Sequence, residues 1–356
     1  MAEAMIPPAT FVRPFGFRIS GVATTGVRHF CVLAGCTIAA LFSAIPAAHA
    51  IDDDLVPAGI VRFSVATSHE TQNKAVARDS VNHGLEVWAL PDPSDTGRVA
   101  GTLSREINET DLNVQLGITD HWNLTLVLPY VEAIQHSSLQ VTDPTADAAF
   151  RTAIASLKSK AISGMGNYRF TTSNRPLFTD SNAIIWGLGI TGSTERNAGI
   201  YTGTGTFQNR DPYGTWLGFF RYSHYPQLAR SRIDARVEYQ LPQLDHVTLA
   251  TGERATILGG PIILSSFGWE HEPSAWGYGM RVDQRTTLQT RIDGEAQNDP
   301  VKEWIFHAQL SYGNLIALEE APIRHPYQAQ LAWDTTFFAY NAPIRDRWTL
   351  KFVTYF

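Results

Sequence analysis

The chain has 356 residues, 44% of them hydrophobic and 17% charged, with a formal net charge of -6. That charged share lies below the ~25% usual for soluble globular proteins, and the composition excludes a disordered chain, a collagen and a coiled coil. Beyond the N-terminal segment no run of about 18 apolar residues occurs, which excludes a bundle of membrane helices, and Lys/Arg are too scattered for a nucleic-acid partner.

The first fifty residues read as an address. Arg13, Arg18 and Arg28 precede the apolar run Phe30–Ile45, which ends in Pro46-Ala-Ala-His-Ala50. A basic segment, an apolar segment and small residues at Ala48 and Ala50 make a secretory signal with cleavage after Ala50. Residues 1–50 are therefore expected to be a signal peptide and 51–356 the mature domain. A membrane anchor is the alternative, and Leu33-Ala-Gly-Cys36 also has the form of a lipidation box. Cys31 and Cys36 are the two cysteines of the chain. After cleavage no disulfide is available, and the mature chain must be held by a large core or a closed structure.

From there the period is 2. Ile233, Ala235, Val237 and Tyr239 alternate with Arg232, Asp234, Arg236, Glu238 and Gln240. A helix cannot separate these two sets, whereas a strand must. The same division marks the rows Leu112–Ile118, Trp122–Tyr130, Trp276–Val282, Trp304–Tyr312 and Tyr327–Trp333. Twelve strands are predicted, near 58–68, 104–117, 121–136, 161–172, 181–192, 213–225, 229–240, 255–269, 274–289, 301–313, 326–338 and 346–356. Their connections run long, then short, up to about residue 273, after which the contrast weakens. Residues 145–158 change period and place Ala146, Ala149, Phe150, Ala153, Ile154 and Leu157 on one helical face, with Asp143 and Pro144 as the start signal.

A soluble sandwich also alternates, so the connections and the row ends carry the decision. Short turns on one rim, long loops on the other and aromatics at the row ends mark an antiparallel up-and-down transmembrane β-barrel. The expected fold is all-β, with about 12 strands and one short helix in a long extracellular loop. Trp122, Tyr130, Trp276, Trp304, Tyr312, Trp333 and Trp348 are the expected aromatic girdle. Arg232, Asp234, Arg236, Glu238, Arg281, Asp283 and Arg285 fall on the polar face and are expected to line the lumen, because an Arg facing lipid near the midplane costs about 2–4 kcal/mol. The helix at 145–158 either constricts the lumen mouth or packs outside it.

The final row Trp348, Leu350, Phe352, Thr354 and Phe356 resembles the C-terminal signal that outer-membrane barrels present to their assembly machinery, with Thr354 where that pattern prefers an apolar residue. Leu116-Gly-Ile-Thr-Asp-His-Trp-Asn-Leu-Thr-Leu-Val-Leu-Pro-Tyr130 and Ser163-Gly-Met-Gly-Asn-Tyr-Arg-Phe170 resemble the MetA-pathway-of-phenol-degradation family of outer-membrane proteins. Asn167 stands where that family has Asp, and the likeness spans about residues 105–225. It implies an outer-membrane channel associated with hydrophobic or aromatic compounds, with membrane lipid, the assembly machinery and a small-molecule solute as partners. A filled structural or adhesive barrel stays open as the alternative.

An outer-membrane lipid hydrolase is the rival class, with Ser223-His224 and His271-Glu-Pro-Ser274 as its candidates, though Pro273 breaks the strand geometry there. His69 and His83 lack metal-ligand spacing. No phosphate-binding fingerprint occurs, and neither a cofactor nor a metal is expected.

Overall fold

The computed structural model describes residues 55–77, 81–90, 93–193, 200–201, 214–226, 230–249, 254–296, 300–314 and 326–356. The expected signal segment, with Ala48 and Ala50, lies outside them.

Twelve strands form one antiparallel barrel: β1 (Val61–Val76), β2 (Leu103–Thr119), β3 (Trp122–Ser137), β4 (Asn167–Phe178), β5 (Asn182–Ser193), β6 (Thr215–His224), β7 (Ser231–Pro242), β8 (Ile262–His271), β9 (Trp276–Thr287), β10 (Val301–Gly313), β11 (Tyr327–Tyr340) and β12 (Ala342–Tyr355). Each pairs with its neighbours in sequence. The wall closes because β1 pairs with both β2 and β12, with Val65 opposite Leu112 on one side and Phe352 on the other. Phe356 finishes the seam by exchanging backbone hydrogen bonds with Val61, at 2.9 and 3.0 Å. The shortest barrel strands, β6 and β8, have 10 residues, which meets the roughly 9–11 a tilted strand needs to cross a bilayer.

The wall is inverted relative to a water-soluble protein. Along β6, Trp216, Phe220 and Tyr222 are exposed while Thr215, Arg221 and Ser223 are buried. Around the ring, Leu188, Val237, Phe267, Met280, Leu310, Leu331 and Leu350 are exposed, and Arg62, Glu70, Gln115, Arg232, Glu238 and Glu303 are buried. Closure leaves no sheet edge, so every strand's backbone is paired without water. An apolar outer surface around a polar interior is stable only in hydrocarbon. The molecule is an outer-membrane β-barrel.

Several expected boundaries shift. β1 runs eight residues past its expected end, since His69–Val76 carries polar groups on both faces and shows no period of 2. β12 starts at Ala342, not 346. Pro343 and Asn341 read as a loop in sequence, but Asn341 alone separates β11 from β12, with φ 53. Asn tolerates that left-handed backbone better than most residues. The expected strand at 255–269 is two pieces. Arg254–Leu258 pairs with Leu244–Leu249 in a hairpin outside the barrel, and β8 begins only after Gly259-Gly260-Pro261. The register between β10 and β11 slips after Trp304, opposite Phe338, so Phe337 and Phe338 are both exposed in succession. Such a bulge breaks the alternation that a sequence reading follows.

The connections 77–102, 138–159, 194–214, 243–261 and 288–300 leave one rim, which in such barrels is extracellular, and the opposite rim has short turns apart from 314–326. The first two fold together. Helix α1 (Leu85–Ala89), which the sequence pattern did not reveal, buries Leu85 against inward-facing Ala75 and Leu103. Helix α2 (Ala148–Ser156) buries Phe150, Ile154 and Leu157 against Leu90, with Ala89, Val99, Leu139 and Val141 around them. Its N-cap is Asp147, whose side chain accepts from the Phe150 amide at 2.7 Å. Asp143, the expected start signal, instead holds a turn by accepting from the Thr145 amide and hydroxyl, at 2.8 and 2.7 Å.

Candidate functional site

The interior polar face forms a belt of ion pairs around the lumen. Period 2 brings the charges to that face, and antiparallel register brings them opposite one another. Arg221 on β6 sits opposite Arg236 and beside Asp234 on β7, and pairs with Asp234 at 3.1 Å. Ser223 donates to the same carboxylate at 2.6 Å. Arg232 reaches Asp234 at 2.6 Å and Glu270 on β8 at 2.9 Å. Glu238 holds two guanidiniums, Arg236 at 2.5 Å and Arg169 of β4 at 2.9 Å. On β9 Arg281 pairs with Asp283 at 2.8 Å. Gln309 donates to Glu270 at 2.9 Å and accepts from Gln330 at 2.5 Å. The belt continues through His307–Asp334 and Arg345–Glu303 to Arg347, whose guanidinium reaches across β1 to Glu109 at 3.1 Å.

The part of this belt from β4 to β10 borders a cavity of about 160 Å³. Arg232, Asp234, Arg236, Glu238, Arg281 and Asp283 border it, and Arg285 does not. Arg169, Arg221, Glu270, His307 and Gln309 border it as well. Arg169 and Arg221 each sit alone between apolar or hydroxyl residues in sequence, so only the three-dimensional register joins them to the pattern. Between β5 and β6 the approach is close. A Cβ on Gly187 would meet the Phe219 ring at 2.4 Å. Glycine there lets Phe219 lie against the wall, and the Arg236 guanidinium stacks over that ring at 4.6 Å.

At the extracellular mouth, Arg105 on β2 donates to Gln135 of β3 at 2.9 Å and stands 5.5 Å from the Trp88 ring centroid. Gln135 in turn donates to the carbonyls of Leu157 and Lys158 just past α2, at 3.2 and 3.1 Å. The two loops are thus held by lumen-facing side chains of β2 and β3 and packed on Ala75 of β1. Arg98 clamps them from outside, pairing with Asp95 and Asp143 at 2.8 Å each and lying 4.2 Å over the Phe150 ring. The Thr145 hydrogen bonds, with Arg98 adding to them, hold the Asp143 carboxyl below the usual carboxylate range.

On the outer face Trp122, Tyr130, Trp276, Trp304, Tyr312 and Trp348 are exposed, and Trp333 is half-buried. Trp276 packs on Tyr312 at 4.8 Å, Trp122 on Trp186 at 5.5 Å, Trp304 on Phe337 at 6.3 Å and Trp333 on Trp348 at 6.2 Å. One register step beyond Trp333–Trp348 on the same face, Thr335 donates to exposed Asp346 at 2.5 Å, ending the apolar row. Leu350, Phe352 and Phe356 are exposed below it.

The hydrolase candidates separate. Ser223 is buried on Asp234, and His224 pairs with Asn182 at 3.0 Å. Ser274 accepts from the Trp276 amide at 3.2 Å. His271 pairs instead with Ser231 across β7–β8 at 2.8 Å and stacks on Trp269, a pairing that follows from the strand register. Among the described residues no group of three His, Cys, Asp or Glu is placed to hold a metal ion.

No protein-family model matches the chain, and no curated protein matches it. The MetA-pathway likeness therefore rests on the residues quoted for it. Among solved structures, the fold is that of the COG4313 outer membrane channel from Pseudomonas putida F1, at 15% identity and TM-score 0.62, covering 86% of this chain and 98% of that one. A Pseudomonas aeruginosa FadL homologue overlaps at 9% identity and TM-score 0.39, covering 87% and 92% of the two chains, and the NanC porin at 8% and 0.37, covering 81% and 98%. The last two are too distant to carry an argument, and the first shares the outer-membrane barrel fold.

Proposed function

We propose that the chain is an outer-membrane channel that passes small solutes through the lumen of its barrel. One observation carries this reading: a cavity of about 160 Å³ stays open among the interior charges, bordered by the β7 and β9 ion pairs and also by Arg169 of β4 and by His307 and Gln309 of β10. A barrel filled for structure alone has no need to leave that space between its charges. Arg232, Asp234, Arg236, Glu238, Arg281 and Asp283 are its lining, and Arg285 stands on the same face of β9 outside the cavity.

Trp122, Tyr130, Trp276, Trp304, Tyr312, Trp333 and Trp348 are proposed as the interfacial girdle, supported by the polar Thr335–Asp346 pair that bounds their row. Trp348, Leu350, Phe352 and Phe356 are proposed as the signal to the assembly machinery. The family likeness supports hydrophobic or aromatic cargo, while the lining itself, in which Leu264 is the inward-facing apolar side chain, supports a solute with polar groups.

The second reading, a filled barrel, is favoured by the loops folded onto the mouth at β1–β3. Reconstitution into planar bilayers separates the two. The channel reading expects unitary ion conductance that Arg236→Glu alters, because that change sets two carboxylates against each other at Glu238. Silence in bilayers together with no solute-driven swelling of proteoliposomes would establish the filled barrel instead.

A further inference from the structure

The charges around the cavity are layered. The side chains of Arg169, Arg236 and Arg281 are 32%, 22% and 41% exposed, whereas Glu238, Asp283, Asp234 and Glu270 stand at 1%, 16%, 17% and 19%. The carboxylates form the layer against the wall and steer the arginines. Arg221 and Arg232, at 4% and 2%, lie in that wall layer too, and the guanidiniums of Arg169, Arg236 and Arg281 form the layer that a solute meets. Five arginines border the cavity against four carboxylates, in a chain whose formal net charge is -6. Arg169 reaches from β4 to Glu238 of β7, beside Arg236, and Arg281 stands on β9, so the accessible cations converge on the space over β7–β9. A low-dielectric wall sharpens the field of such a constriction.

We propose that this constriction selects anions and that its preferred occupant is a small organic carboxylate. The inference rests on the conduit reading above and names its cargo class. A guanidinium presents its N–H donors in a planar fork that matches a carboxylate's two oxygens. Chloride has no such geometry, so the fork separates a carboxylate from a spherical anion, while the positive layer separates either from a cation. Leu264 at the rim of the same cavity gives the short apolar part of such a solute a place to rest.

The test uses the mature barrel in planar bilayers under a KCl gradient, followed by potassium acetate. Chloride is expected to pass over potassium by roughly tenfold, in line with the enrichment a one-signed cleft produces. Millimolar acetate is expected to slow the chloride current. Arg169→Gln with Arg281→Gln brings the permeability ratio to within about twofold of unity and abolishes the acetate effect. Arg281→Lys keeps the charge without the fork, so it retains chloride preference and weakens the acetate effect. Lys302→Gln, exposed on the outer face of β10, changes neither. An unheated gel band that migrates apart from the boiled one shows that each variant is folded. Current that carries potassium as readily as chloride, or selectivity that survives the double substitution, overturns the anion assignment and leaves the conduit standing. A chloride current indifferent to acetate overturns the carboxylate. Absence of any current from the unaltered protein overturns the conduit and this inference together.

Discussion

On β12, Trp348, Leu350 and Phe352 are exposed. In the cap at the mouth, between β3 and β4, Phe150, Ile154 and Leu157 are buried while Arg151 and Thr152 are exposed. One chain thus follows two opposite rules of burial. The wall turns its apolar side chains toward a hydrocarbon solvent and stores its charges inside. The cap, standing above the membrane, hides its apolar side chains from water as any soluble domain does. The comparison shows that the solvent each region meets decides which face of an element is buried.

The two rules predict opposite responses to the same kind of change. Phe150→Ala should cost the cap about 3–5 kcal/mol, the usual range for removing a buried aromatic. It is read as faster amide hydrogen exchange in 85–100 and 139–157, with the barrel strands unchanged. Exchange that rises equally in β6–β9 would mean that cap and wall unfold as one unit. Leu350→Arg makes an exposed residue polar, which is harmless in water. Facing lipid near the midplane it should cost about 2–4 kcal/mol, measured by urea titration in vesicles. A shift below half a kcal/mol would place Leu350 in water. Asp147→Ala removes the α2 cap and should cost about 0.5–2 kcal/mol, again confined to exchange within α2.

The smallest effect is on pH. Asp143 has a depressed folded carboxyl pKa, held by Thr145 and then Arg98. Its contribution is complete above the unfolded carboxylate pKa and is lost as pH falls through the depressed folded value. Exchange around Arg98 and Thr145 should therefore rise modestly on acidification, and Asp143→Asn should erase that dependence while sparing the neutral-pH structure of the wall.

The same two rules explain what the sequence discloses. Where a strand lies between lipid and lumen, its two faces differ, and rows such as Ile233–Gln240 and Trp122–Tyr130 announce themselves. Where β1 rises above the membrane, His69, Glu70, Thr71 and Gln72 meet polar surroundings on both sides, and the signal fades. The bulge at Phe337–Phe338 and the single-residue turn at Asn341 shift register without a compositional mark. Helix α1 is five residues long, too short for a period to show. At the site, β7 and β9 display their charges in alternating runs. Arg169 and Arg221 are isolated in sequence, and they are joined to Glu270 and His307 only by the pairing of β4 to β10.

The account rests on which way each side chain of the wall faces, and a spin-label scan along β7 from Ile233 to Gln240 measures it directly. The labels at 233, 235, 237 and 239 should collide with membrane-dissolved oxygen, and those at 234, 236, 238 and 240 with a water-soluble nickel chelate, giving a period of two with opposite phase. Equal accessibility at neighbouring positions, or oxygen favouring the even-numbered sites, would contradict a lipid-facing apolar wall around a polar lumen.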